Sequence, residues 1–273
     1  KAIRRQRQMC IRDRNLALSL LFAAGALYAG VKVPVVKNVH IPSERLAREY
    51  TVVVLSDLHI HRVINPLKIE RIVSLANARN PDVVLLAGDI IDDDVRRVSK
   101  ITALLKGLKA SKGIYFVTGN HEFYAGYDET VRELANLGFM FLENDGAAVG
   151  EDLYLAGVPD TFAGAAYGKT PDLNRAFAKA GKGAFRLLVS HTPSDFAGRD
   201  FDLEVSGHTH GGQIFPFHIF AKLHNKYLSG LYPMSGGAEI YVSNGAGQWG
   251  PQMRFLAPSE ITVLKLTPEK QEK

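Results

Sequence analysis

Short runs of apolar β-formers punctuate the chain, and between the earlier ones apolar positions recur at helical spacing. Residues 52–55, 83–87 and 114–118 read as buried strands. After the first of them Leu67, Ile69, Ile72, Val73, Leu75 and Ala76 follow Pro66, a residue suited to a first helical turn. Residues 95–108 and 127–137 also read as helices. This β-α-β alternation predicts parallel pairing with helices on the outside. The second half changes character: 153–158, 187–189, 203–205, 240–243 and 261–266 are short strands, and only 173–180 is clearly helical. Two mixed sheets packed face to face, with helices on both outer surfaces, accommodate this pattern better than one open sheet.

A different pattern occupies the N-terminus. Residues 16–31 form an uncharged apolar run behind an arginine cluster and before Lys32. The order resembles the basic and apolar regions of a signal sequence. Three readings fit: an uncleaved signal anchor, a cleaved signal ending near Leu27-Tyr28-Ala29, or an amphipathic soluble helix. The first two place the catalytic region on the extracytoplasmic side of the cell membrane by the positive-inside rule. The string from Met9 to Arg14 resembles translated sequencing adapter, so the apolar run carries this inference and the arginine count does not. A polar stretch, 42–49, then separates an N-terminal segment, 1–41, from a single catalytic domain, 42–273.

Composition narrows the class further. With 273 residues, 46% of them hydrophobic and 22% charged, the chain can bury one sizeable core. Its formal charge of +5 is matched by Lys1, Arg4, Arg5, Arg7, Arg12 and Arg14 against Asp13, leaving the remainder near neutral. Charge therefore does not favour nucleic acid as a partner. One cysteine, Cys10, excludes an intramolecular disulfide and a thiolate-rich zinc site.

The candidate chemistry lies where the apolar runs end. Ser56-Asp57-Leu58-His59, Gly88-Asp89, Gly119-Asn120-His121-Glu122, Ser190-His191 and Gly207-His208-Thr209-His210 each follow a strand-like run directly. Five of the nine histidines fall at these ends. Strands that end together at one sheet edge gather such loops around one cleft. Asp, His and Asn there describe a two-metal hydrolytic centre, because a carboxylate can bridge two divalent ions while imidazoles and an amide add no charge to repel a phosphate. Each piece has a plainer reading: Gly88-Asp89 alone is a turn, and Asn120 alone a turn amide. Asp92 suits either orienting a ligand or capping the next helix. Gly207, Gly211 and Gly212 allow the close approach a crowded cleft needs.

Taken in order, these stretches resemble the motif set of the calcineurin-like metallophosphoesterases across residues 49–266. The strings from Ser206 to Gln213 and from Ser243 to Pro251 resemble the bacterial membrane-associated branch with relatives of UDP-2,3-diacylglucosamine hydrolase. The resemblance implies an α/β four-layer sandwich of two mixed β-sheets flanked by helices. It implies that Asp57, His59 and His210 bind one metal, that Asn120, His191 and His208 bind a second, and that Asp89 bridges them. His121 would protonate the leaving oxygen or steady the phosphoryl group. The cofactors implied are two divalent ions, with Mn, Fe and Zn all compatible, and the activity is hydrolysis of a phosphoric monoester or diester by a metal-bridging hydroxide. The apolar N-terminus and the aromatic stretch 214–232 favour a lipid-linked or envelope substrate, although such aromatics equally describe a lid packed on the core. His61 stands where many relatives have Gly, an extra imidazole for the mouth of the site. Two rivals remain: a catalytically silent metal-binding domain, and a nuclease of the same fold, which would need a basic groove.

Overall fold

Alternate residues of the buried strands face different cores, and this alternation builds the layers. The computed structural model describes residues 2–161, 164–196 and 200–269. Lys1, counted above with the basic cluster, lies outside them. In chain order the helices are α1 (Ala2–Val31), α2 (Pro66–Asn77), α3 (Val95–Thr102), α4 (Asn120–Ala125), α5 (Tyr127–Asn136), α6 (Leu173–Ala176) and α7 (Phe217–His224). The first strands are β1 (Val35–Ser43), β2 (Tyr50–Leu55), β3 (Val83–Ala87), β4 (Ile114–Val117), β5 (Met140–Phe141) and β6 (Asp145–Ala148). They are followed by β7 (Leu153–Gly157), β8 (Phe185–Val189), β9 (Leu203–Ser206), β10 (Gly230–Pro233), β11 (Glu239–Val242) and β12 (Glu260–Pro268).

Two six-stranded mixed sheets result, ordered β1-β12-β2-β3-β4-β5 and β10-β11-β9-β8-β7-β6. Val52, Val54, Val83 and Leu85 of the first sheet pack against Leu155, Leu187, Val189 and Val205 of the second. Their neighbours Val53, Leu55, Val84 and Leu86 face outward onto Ile69 and Ile72 of α2 and Leu134 of α5. On the opposite surface Ala156, Leu188 and Ile240 meet Ala176 of α6, with Tyr227 and Met234. A strand buried on both faces needs no polar alternation, which is why these runs are continuously apolar.

The expected strands and helices form, with three differences. Residues 95–108 divide into α3 and a 3-10 turn, Ala103–Gly107. At the junction Thr102 Oγ1 donates to Val98 O at 3.2 Å, a back-bond that bends helices. The helix expected over 173–180 stops at Ala176 and continues as turns. Finally, Val35–Ser43, running across the expected 41/42 boundary, pairs with β12 in parallel over nine residues. Its mixed polarity reflects an edge position, buried on one side only at residues such as Ile41.

Candidate metal centre

Strand ends from both sheets converge on one site. In the first sheet β2, β3 and β4 are neighbours, and they lead into Asp57, Asp89 and Asn120. In the second, β8 and β9 are neighbours and lead into His191 and His208. The chain turns sharply at each end. Asp57, His59, Asp89, His208 and His210 all adopt positive φ, between 47° and 67°. Such backbone is costly for residues with a Cβ and persists where surrounding structure fixes it, most often at functional sites. The glycines make room: a Cβ on Gly88 would lie 2.5 Å from His191 Nδ1, and one on Gly207 would overlap the Ser56 hydroxyl.

The expected ligands form two groups. Nε2 of His210 lies 3.0 Å from Nε2 of His59 and 3.4 Å from Asp57 Oδ1. Asp89, His191 and His208 form the second group, joined by Asn120, whose Oδ1 is 2.9 Å from His208 Nδ1. Between the groups stands Asp89 Oδ2, 3.7 Å from His59 Nε2 and 3.1 Å from His191 Nε2. The other oxygen, Oδ1, accepts from the His121 N–H at 2.9 Å, which orients the carboxylate.

These residues fit divalent ions. Ligand atoms held about 2.0–2.2 Å from one ion sit roughly 3.0–3.6 Å from each other, the range of the closer pairs above. His191 Nδ1 donates to the Ala87 carbonyl at 2.8 Å, which turns Nε2 toward the site, 3.1 Å from Asp89 Oδ2. Burial disfavours the charged ring, but the Asp89 carboxylate outweighs it and raises its pKa, a positive charge that a bound cation would replace. Burial, the His59 ring and the Arg254 guanidinium hold His210 well below the usual histidine range, so it stays neutral as a ligand must.

Residues 50–212 match the calcineurin-like phosphoesterase family. The chain belongs to the calcineurin-like phosphoesterases. An "uncharacterized metallophosphoesterase" of Helicobacter pylori strain J99 is 37% identical over 260 residues, covering 94% of this chain and 70% of that protein. One from Campylobacter jejuni is 33% identical, covering 93% and 69%. A Danio rerio "transmembrane protein with metallophosphoesterase domain" is 35% identical over 268 residues, covering 92% of this chain and 61% of its own length. The protein is thus a metal-dependent phosphoesterase.

Around the phosphoesterase site stand supports that the sequence pattern did not single out. Glu122 is fully buried, and its carboxylate accepts N–H bonds from Asp89, Ile90, Ile91 and Gly119, at 2.6 to 3.0 Å. It thereby ties the loops after β3 and β4 together. Arg254, also fully buried, donates to the carbonyls of Gly247, Asn244, Ala257 and His210 and sits 3.2 Å from His210 Nδ1. Neither role shows in a ligand motif, because the partners are backbone groups that only the fold brings near. The capping box spacing of Gly119 and Glu122 was the available signal for the first.

Asp92 orients rather than caps. Its Oδ1 hydrogen-bonds His121 Nδ1 and its Oδ2 lies 3.4 Å from His59 Nδ1. Asp94 caps α3, accepting from the Arg96 N–H at 3.0 Å. Burial disfavours the charged form of His121, but the bond to Asp92 and the carboxylates of Asp89 and Asp92 outweigh it and raise its pKa.

Above the site opens a cleft of about 800 Å³. Its floor includes His59, Asp89, Asn120, His121, His208 and His210, and its walls are Ile214, Phe217, Phe220, Ala221, Trp249 and Pro251. The aromatic stretch thus divides. Phe217 and Phe220 line the cleft, Tyr227 is buried in the core beside Tyr232, and Phe215 stacks on His218. His61 is half-buried and does not line the cleft, while His40 and His224 are exposed.

Proposed function

We propose that this phosphoesterase hydrolyses a phosphoester carrying an apolar chain, at a two-ion centre, while α1 anchors it to the membrane. The observation that carries the reading is Asp89 Oδ2, one oxygen within 3.7 Å of both ligand groups. Asp57, His59 and His210 would hold one ion and Asn120, His191 and His208 the other, with Asp89 shared. Ions bound there would supply an activated water and neutralise charge gathering on the phosphoryl oxygens.

The chain's own residues do the rest. His121 Nδ1 is committed to Asp92, so Nε2 remains to give a proton to the departing alkoxide. The Asp89 and Asp92 carboxylates favour the protonated ring that this step needs. Glu122 and Arg254 hold the loops in place, and the apolar walls exclude water from the chain of the substrate. Support for anchoring comes from Ile3–Val31, long and apolar enough to cross a membrane by length and composition, and from the Danio rerio relative's name.

Kinetics on metal-reconstituted protein test this reading. About 100 Å² of chain carbon covered by the walls is worth roughly 2.5 kcal/mol at ~25 cal/mol/Å². A phosphodiester bearing an acyl chain is therefore expected to show a kcat/KM at least about tenfold above that of its chain-free head group. Phe217→Ser with Phe220→Ser should remove the difference and spare small aryl esters. Equal efficiencies would refute the apolar substrate, and no turnover of any phosphoester by the loaded protein would refute hydrolysis itself.

A further inference from the structure

Exposed apolar side chains crowd one rim of the cleft, and the N-terminal helix meets that rim. No residue of α7 is buried. Phe217, Ile219, Phe220 and Leu223 are 62%, 49%, 64% and 81% exposed, and Leu256 and Trp249 nearby are 76% and 57% exposed. Phe217 and Phe220 line the cleft, but Ile219 and Leu223 do not. An ordinary surface helix buries its apolar stripe and shows a polar face; this one shows apolar carbon on both counts. Lys222 and His224 occupy its last turn.

A short path joins this rim to α1. The rings of Phe22 and Phe255 have centroids 4.4 Å apart, and the Arg254 N–H donates to Ala26 O at 2.9 Å. The Phe215 N–H in turn donates to Phe255 O at 3.1 Å, two residues before α7 begins. Lower on α1, Lys68 Nζ donates to Gly30 O at 3.1 Å, and a Cβ on Gly30 would overlap the Gln252 carbonyl. The helix is thus held against the catalytic domain from Phe22 to Gly30.

That docking fixes the depth of any bilayer that α1 enters. The apolar run 16–31 extends about 24 Å at 1.5 Å per residue, already short of a hydrocarbon core of about 30 Å. Phe22 lies inside this run, so a bilayer that takes up the run reaches at least the level of Phe22, which brings Phe255 and the adjoining α7 to its surface. We propose that α7, with Leu256 and Trp249, is a lipid-contact face that beds in the boundary between headgroups and acyl chains, so that the cleft opens onto the bilayer. Lys222 and His224 then sit among headgroups, as basic residues of interfacial helices do. This inference rests on the anchoring by α1 proposed above and not on the chemistry of the site.

Trp249 is the only tryptophan in the chain, which makes it a reporter for this face. The full-length protein, reconstituted in vesicles of phosphatidylcholine and phosphatidylglycerol, is the sample. Bromine near the headgroup end of the acyl chains should quench Trp249 emission about twofold, with little quenching by aqueous iodide. Ile219→Ser with Leu223→Ser should lose most of the bromine quenching, with turnover of a water-soluble aryl phosphodiester unchanged. Quenching by iodide instead, with the protein still on the vesicles, would overturn the docking face and leave the anchor standing. Unchanged bromine quenching in the double variant would also overturn it, since lipid would then reach Trp249 through the cleft. Failure to sediment with vesicles would overturn the anchor and the face together, whatever the outcome of the kinetic test.

Discussion

Glu204 shows how far burial alone can move one group. It is fully buried on β9, where Oε1 accepts from the Ser194 N–H at 3.1 Å and the Ser206 hydroxyl at 3.0 Å, and Oε2 has no partner among the described residues. Desolvation pushes its carboxyl up to about 8. The folded chain therefore keeps a proton that the unfolded chain releases near 4.5, and rising pH across that interval favours unfolding. The loss by pH 8 is of the order of a few kcal/mol. Glu204→Gln should abolish it: urea midpoints at pH 5 and pH 8 should differ clearly less in the variant than in the wild type. Equal differences in both would contradict a neutral Glu204. Residues of this kind escape a sequence reading, because Glu204 stands in an apolar run with nothing to mark it as buried. Asp57, Asp89 and the five strand-end histidines were legible for the opposite reason: metal-binding side chains directly after β-runs have few structural uses there.

At the scale of elements, the loops after the strands matter more than the strands. The strand runs were readable because both faces are buried, and their ends were readable with them. The loop after β11 stood out as the string 243–251, but its part in the site did not, since that depends on Arg254. That side chain joins the carbonyls of Asn244, Gly247 and Ala257 to the His210 turn. A lysine keeps the charge but cannot spread donors over four carbonyls. Arg254→Lys is expected to cost roughly 2–4 kcal/mol of stability, read as a fall in Tm. It should also weaken metal retention at the Asp57, His59 and His210 group while the Asp89, His191 and His208 group stays loaded. A uniform loss from both groups would mean that Arg254 serves the fold alone. β1 and α7 were missed for a related reason: one is an edge strand with mixed polarity, the other a helix whose apolar residues find no core.

For the molecule as a whole, two sheets, one metal-binding cleft and one apolar helix are coupled through a single rim. The sandwich brings five separated sequence stretches to one edge, and the packing of α1 on residues 252–255 ties that edge to the N-terminal helix. The two-sheet arrangement was legible from the change of strand and helix pattern at mid-chain; the docking of α1 was not, because Phe22, Ala26 and Gly30 look like ordinary members of an apolar run. The proposed sharing of Asp89 between two ions is the point on which the hydrolytic reading depends. Metal analysis of the purified wild type and of Asp89→Asn, with turnover and Tm measured on the same samples, addresses it. Two divalent ions per wild-type chain are expected, with at most one in Asp89→Asn, turnover lower by at least about a hundredfold and the fold retained. Asp89→Asn protein that keeps both ions and normal turnover would contradict the shared carboxylate.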